Sequence, residues 1–450
     1  MERRAARSVD LRARAGRALA GLAGAALAWG VSGAAWASPA EQFGFGPRSQ
    51  ALGATGAAAA EGFEATYANP ARLSASRKRE LTLGWQIFDF ELAAEGENAP
   101  GEQSGEALRG TYIGAVFPVP FGGVLRDRIS LGLGAFTPRT LIVRARLLYP
   151  ERPQFPLLAD RAQTLSLNLG LGADLGWGIR VGGGVLALAE LVGTAVVRTD
   201  ASGRVGTVVD DQLIASYAAV AGVSYERGAW LAGITWRDEL VAEFDVLVQV
   251  FDLGALVIPD LHISGVAQYD PEQLAAEIGW RGGGWLVTGG VTYKRWGAFP
   301  GWAEATVRCP SDYPSCTALR PVPVGFHDTW VPRVGVEWAL PLAAGATGRV
   351  RAGYFYEPSP VPEQKGASNY YDPDRHVLTA GYGVRLEEPL PPVDVSLFYQ
   401  EHLGVPRTHV KEASIACDPA APDCSVNAGF PSVETRAGAR GAGVTFGVRF

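Results

Sequence analysis

Long runs of strict alternation between apolar and polar or small residues constrain this chain more than any other feature. In Leu165–Leu175, Leu165, Leu167, Leu169, Leu171, Ala173 and Leu175 alternate with Ser166, Asn168, Gly170, Gly172 and Asp174. A strand sends successive side chains to opposite faces, so such a segment has one oily face and one hydrophilic face. The C-terminus repeats the pattern, with Ala442, Val444, Phe446, Val448 and Phe450 set against Gly443, Thr445, Gly447 and Arg449. So do Val393, Val395, Leu397 and Tyr399, and likewise Val350, Ala352, Tyr354 and Tyr356. A half-buried soluble sheet shows the same alternation, and length separates the two. Soluble strands average about 5–6 residues, whereas a tilted strand crossing a hydrocarbon core needs about 9–11. Fourteen candidate runs are present: 80–92, 107–117, 128–137, 161–175, 179–198, 212–225, 229–250, 271–281, 284–296, 329–340, 348–357, 375–386, 392–402 and 437–450.

Their connections sort by length. The gaps 93–106, 138–160, 199–211, 251–270, 297–328, 358–374 and 403–436 are mostly long and alternate with mostly short ones such as Glu226-Arg227-Gly228 and Gly282-Gly283. Long outer loops and tight periplasmic turns are the habit of bacterial outer-membrane barrels. The chain is 47% hydrophobic and 19% charged, too apolar for disorder. Beyond the first forty positions it has no run of about 18 apolar residues that a helical span would need. The expected fold is therefore all-β, a 14-stranded antiparallel transmembrane β-barrel over 78–450. Trp85, Trp230, Trp280, Trp285, Trp296, Trp330, Tyr354, Tyr382 and Tyr399 sit where interfacial girdles belong.

The first 37 residues read as an export signal. Arg3, Arg4, Arg7, Arg12, Arg14 and Arg17 precede the apolar stretch Ala18–Val31, and Ala35-Trp36-Ala37 forms a small-x-small cleavage site. The formal charge of −6 becomes more negative once that leader is removed, which excludes nucleic acid as a partner. Cys309/Cys316 and Cys417/Cys424 form two local pairs, each spaced C-x6-C. Zinc sites favour tighter, grouped spacing, so two small disulfide-closed loops are expected and no metal.

Residues 38–77 do not alternate. Phe43-Gly-Phe-Gly46, the Ala/Gly run Ala51–Ala60 and Tyr67-Ala-Asn-Pro-Ala-Arg-Leu73 form either a periplasmic tail or a short N-terminal hatch plugging the lumen. Ala68-Asn-Pro-Ala71, the fourteen runs, Tyr293-Lys-Arg-Trp-Gly-Ala-Phe299, and Arg351–Pro362 followed by Asp374-Arg-His376 carry a resemblance. Together they resemble the outer-membrane long-chain fatty acid and aromatic hydrocarbon transporter family (FadL/TodX type). The resemblance implies a barrel closed by its hatch, with hydrophobic ligand captured at extracellular loops and passed to a pocket beside the hatch. It also implies sideways release through a wall opening near a kinked third strand, by which Asn69, Pro70 and Ala71 would lie.

Two gaps suit the capture of oily molecules. The first holds Leu141, Ile142, Leu147, Leu148 and Phe155, and the second holds Leu253, Leu256 and Ile258. They either mark where ligand enters or pack on each other as a cap. Arg139, Arg144 and Arg161 flank the first cluster and are suited to a carboxylate, to lipopolysaccharide phosphates or simply to water. Lumen-side Asp174, Arg333, Glu337, Arg349, Arg351, Arg385 and Asp394 read as ion pairs. With five histidines and no G-x-S-x-G motif, no catalytic constellation is expected, and no cofactor. The expected function is passive uptake of hydrophobic small molecules by a monomer surrounded by outer-membrane lipids and lipopolysaccharide. A general diffusion porin or a structural barrel is the alternative.

Overall fold

The computed structural model describes residues 39–139, 151–159, 165–199, 205–251, 260–301, 303–308, 324–387, 391–416 and 426–450. The leader lies outside them, as do Leu141, Ile142, Arg144, Leu147, Leu148, Arg161, Leu253, Leu256 and Ile258. Cys309, Cys316, Cys417 and Cys424 also lie outside the described residues, and with them both expected disulfide-closed loops, Cys309 to Cys316 and Cys417 to Cys424.

Fourteen strands form the wall. They are β1 (Glu80–Glu95), β2 (Leu108–Pro118), β3 (Ile129–Pro138), β4 (Ser166–Gly176), β5 (Ile179–Thr199), β6 (Val205–Arg227) and β7 (Trp230–Arg237). Then follow β8 (Gln273–Gly282), β9 (Trp285–Lys294), β10 (Thr329–Ala343), β11 (Ala346–Glu357), β12 (Arg375–Leu386), β13 (Val393–Gly404) and β14 (Ser432–Arg449). Each pairs antiparallel with its neighbours, and β1 closes the ring on β14 from Glu80↔Arg449 to Glu95↔Glu434. Closure leaves no sheet edge, which lipid demands because it offers no partner to a bare N–H or C=O.

The two faces are those of a membrane barrel rather than of a soluble sheet. On β4, Leu169 is 46% exposed while the neighbouring Asn168 is 2% exposed. The same inversion holds elsewhere: Leu397 and Phe446 point out, Gln400 and Thr445 point in. Trp285 stacks on Trp338 across β9 and β10 with ring centroids 5.2 Å apart, and Tyr293 meets Trp330 at 4.9 Å on the same pair of strands. The two ring pairs lie eight residues apart along each strand. At about 3.4 Å per residue and a tilt of about 40°, that separates two girdles by about 20 Å.

Tight turns gather at one end. Trp177-Gly178 and Gly283-Gly284 both turn with positive φ at each residue, as a two-residue hairpin needs. The other end carries the long excursions. The expected run 229–250 divides there: the wall strand stops at Arg237, and Leu240–Phe251 pairs instead in parallel with the outer half of β5. Arg237 turns inward onto Gln273 and Asp238 N–H bonds Ala219, so the chain leaves the ladder at that point. Part of the expected loop 251–270 is also strand, Asp260–Asp270, which pairs with Leu240–Phe251 and with Ala303–Arg308.

If the outward face meets lipid, Leu169→Arg should destabilise the barrel in vesicles by up to about 2–4 kcal/mol, read by urea unfolding. Wild-type stability would place that face elsewhere.

Candidate functional site

The hatch is built from short pieces because its sequence allows nothing longer. α1 (Pro39–Phe43), α2 (Pro47–Ala51) and α3 (Ala65–Ala68) are separated by glycines, and a 3-10 turn spans Pro70–Ala75. Proline opens α2 and the 3-10 turn, where its missing N–H does no harm. Asn69 caps that turn by accepting from Ala71 N at 3.0 Å, and its Nδ2 donates to Ala57 O at 2.6 Å and to Val223 O on β6 at 3.1 Å.

Wall glycines let hatch backbone touch wall backbone. A Cβ at Gly182 on β5 would overlap Ala71 N and one at Gly172 on β4 would lie 2.5 Å from Pro70 O, while one at Gly222 on β6 would overlap the Asn69 side-chain amide. Across the lumen, Gly353 on β11 meets Gly53 in the same way. Polar side chains then fasten the seat. Glu277 accepts from Gly56 N and Ala57 N at 2.8 and 2.9 Å, while Gln400 donates to Phe43 O and Gln50 O at 2.9 and 2.8 Å. Thr379 binds Gly53 N and Ala51 O, and Arg237 donates to Tyr67 O.

Two ionic clusters hold the plug at different heights. Lys294, fully buried, sits 2.6 Å from hatch Glu41 and 2.6 Å from Glu357 of β11, which Arg333 approaches at 3.7 Å. Toward the tight turns, Arg48 binds Glu337 at 3.0 Å and Arg351 binds the same carboxylate at 2.7 Å. Beside them Glu61 lies among Arg48, Arg281, Arg349 and Arg385. Burial alone would raise the Glu61 pKa, but the surrounding guanidinium groups, Arg48 foremost, hold it well below the ordinary carboxylate range. Removing one member of a buried pair strands the other, typically at about 3–5 kcal/mol. The plug is therefore seated in one position rather than loosely packed.

Above the hatch the interior is oily. One continuous cluster runs from Phe155, Leu158 and Tyr371 under the long loops, past Leu92, Phe88 and Phe398 on the wall, to Phe43, Phe45 and Tyr67 on the hatch. Phe43 stacks on Phe88 with centroids 4.0 Å apart, and Phe45 meets Tyr112 edge-on at 5.5 Å. A second cluster holds Tyr269, Trp296, Phe299 and Phe326 beside Leu157 and Tyr370, so Trp296 is buried rather than part of an outward girdle. The segment 359–374 ties the loops together: Asp372 accepts from Leu157 N and Leu158 N at 2.9 and 2.8 Å, and Gln364 N donates to His409 Nδ1 at 3.1 Å. Burial, with Arg407 and Lys411 nearby, pulls the His409 pKa down to about 4, which keeps the ring neutral and able to accept that bond.

The fold of this closed fourteen-stranded barrel is one that known structures share. The FadL homologue of Pseudomonas aeruginosa superposes with a TM-score of 0.58 at 13% identity, over 93% of this chain and 99% of that one. The toluene transporter TodX of Pseudomonas putida gives 0.54 at 14% identity, over 90% and 98%. This chain has the FadL-type fold. In sequence it is 25% identical over 355 residues to alkane uptake protein A of Marinobacter nauticus, spanning 71% of this chain and 73% of that protein. No family model matches. The resemblance read from the sequence is thus borne out.

Within the FadL-type barrel, Asn69, Pro70 and Ala71 face glycines of β4, β5 and β6, and Leu73 reaches β3 at Gly132. The β3 ladder is unbroken on both sides, from Gly110↔Pro138 to Pro118↔Ser130 and from Ile129↔Ala173 to Phe136↔Ser166. Among the described residues, no interruption of this ladder marks the opening implied near a kinked third strand. Phe155 is buried against Tyr371 at 6.3 Å, inside the cluster rather than on the surface. Arg139 is exposed at the end of β3, its N–H bonded to Arg109 O. Asp174, Arg333, Glu337, Arg349, Arg351, Arg385 and Asp394 all form ion pairs. Asp394 pairs with Arg385, Ser396 accepts from Arg351 and His402 bonds Gln400. Sequence reasoning misses hatch residues Glu41, Arg48 and Glu61 as partners. The signal that could have found them is charge within an otherwise Ala/Gly-rich segment.

The seat predicts a contrast between adjacent glycines. Gly182→Ala drives a methyl into hatch backbone and should expose residues 39–76 to protease, whereas the nearest atom to a Cβ at Gly183 is Val220 O at 3.6 Å. Equal protease resistance in Gly182→Ala and Gly183→Ala would refute the close seat.

Proposed function

We propose that this chain is a passive outer-membrane channel for uncharged hydrophobic small molecules, hydrocarbons above all. The observation that carries the reading is the apolar cluster that runs unbroken from the long loops to the hatch, inside a barrel whose opposite mouth is ionic. Water and ions are poor occupants of the first region, and oily solutes are poor occupants of the second. A solute reaching the hatch has a favourable route down and an unfavourable one onward until the plug rearranges. The alkane uptake protein of Marinobacter nauticus and the toluene transporter TodX are named for such solutes.

Charge balance favours a neutral cargo over a fatty acid. At the upper face of the hatch, Lys294 and Arg333 are matched by Glu41 and Glu357, so an arriving carboxylate would find no excess positive charge in that cluster. Release sideways past Asn69, Pro70 and Ala71 is consistent with a wall reduced there to glycine at Gly172, Gly182 and Gly222. Because the ladder is intact, hatch movement comes first. The solute supplies the drive by binding one hatch position better than the other.

A diffusion porin is disfavoured by the tightly bonded plug. In planar bilayers the intact protein should show little steady ion conductance, and cells carrying it should take up n-hexadecane faster than cells without it. Large steady conductance with no gain in uptake would instead establish the porin.

A further inference from the structure

At the end of the barrel that carries the tight turns, one connection is long. Residues 119–128 join β2 to β3, whereas 177–178, 228–229, 283–284, 344–345 and 387–392 suffice elsewhere. All of 120–128 is exposed; Val124 is 82% exposed, and Phe121 and Leu125 are half exposed. The tip is nevertheless ordered by its own backbone. A 3-10 turn spans Gly123–Leu125, and the Arg126 and Arg128 N–H groups donate to Gly123 O and Leu125 O at 3.3 Å.

The adjacent hairpin presents Trp177. Asp174 N donates to Arg128 O at 2.8 Å, which sets the turn from β4 to β5 beside this tip. Trp177 is 90% exposed and has a φ of 54°. That left-handed conformation suits a two-residue turn, but glycine or asparagine adopts it more readily than a bulky aromatic. At such exposure the indole adds little to the protein's own packing, so strain at this residue points to a partner outside the chain. The lipid-facing row Leu169, Leu171 and Leu175 runs down β4 to it, so the oily outer wall continues onto the tips.

Basic side chains surround these apolar ones. Arg126 and Arg128 lie on the long tip, and Arg77, Lys78 and Arg79 just before β1, all exposed. The Ser130 hydroxyl donates to Ser76 O at 3.3 Å, which ties the second group to the base of the tip. Asp127 is the one carboxylate in 119–128. It lies 3.7 Å from Arg126 at the surface, where such a pair contributes little. Turns 283–284 and 344–345, on the other side of the ring, carry no charge.

We propose that Phe121, Val124, Leu125 and Trp177, with the five basic residues around them, form a foot that binds anionic phospholipid of the inner leaflet. The apolar tips enter the boundary between headgroups and acyl chains, and the guanidinium and ammonium groups meet the phosphates. A zwitterionic lipid offers the same apolar contact without the net charge. The proposal goes beyond the channel reading and stands whatever solute the barrel carries.

The test places the full-length protein in phosphatidylcholine nanodiscs containing increasing fractions of brominated phosphatidylglycerol or brominated phosphatidylcholine, bromine being a contact quencher of indole. Trp177→Gly suits the positive φ better than the native residue, so subtracting its emission from that of wild type isolates Trp177. Half-quenching should need about fivefold less brominated phosphatidylglycerol than brominated phosphatidylcholine, the factor that one basic residue supplies at an anionic surface. Replacing Lys78, Arg126 and Arg128 together by Gln should shrink that difference and leave quenching by brominated phosphatidylcholine in place. Equal half-quenching fractions in wild type overturn the proposal, as does a difference unchanged in the triple variant. A Trp177 quenched by neither lipid also overturns it, and leaves a soluble protein as the partner of the tips.

Discussion

The backbone's need for hydrogen-bond partners in a medium that supplies none governs this molecule. Lipid leaves a sheet no choice but to close on itself, and closure creates an interior that must be filled or left wet. The fourteen-strand ring is wide enough to hold more than its own side chains. The chain fills that space with its leading segment, and the inward face of the wall is cut to fit it. Glycine at positions such as Gly172, Gly182 and Gly353 admits hatch backbone where any other residue would collide with it.

Two different interactions then divide the interior by height. Near the tight turns, Arg48, Arg351, Glu337 and Glu61 form a matched ionic layer with the hatch as one partner. Above it, Phe43, Phe88 and Tyr371 belong to an apolar layer, interrupted on one side by the matched cluster of Lys294, Arg333, Glu41 and Glu357. The ionic layer contributes little net stability, since desolvation offsets attraction, but it gives position: a shifted plug would leave charges buried without partners. The apolar layer is non-directional and tolerates a foreign hydrocarbon among its own side chains. An interior that is strict below and permissive above suits a conduit that admits many oily shapes yet stays shut to ions.

The wall was legible because lipid imposes a period of two on every strand. Leu169 beside Asn168 declares its face without reference to anything distant. The departure at Arg237 was not legible, because alternation simply continues through Leu240–Phe251. Periodicity says that a segment is a strand but not which strand it pairs with, and here the partner is the outer half of β5. The hatch contacts were hidden for a related reason. Arg48 and Glu337 lie 289 positions apart, and nothing local in either links them. Phe155 reads as part of an oily outer loop because Leu157 and Leu158 follow it, yet the Asp372 carboxylate binds the backbone just after it and draws that segment inward.

Diffraction from crystals soaked in a long-chain bromoalkane tests the central claim most directly. The account predicts bromine density among Phe43, Phe88, Phe155 and Tyr371, above a hatch still bonded to Glu277 and Gln400. Bromine confined to the detergent belt around the outer wall, with none inside, would contradict it.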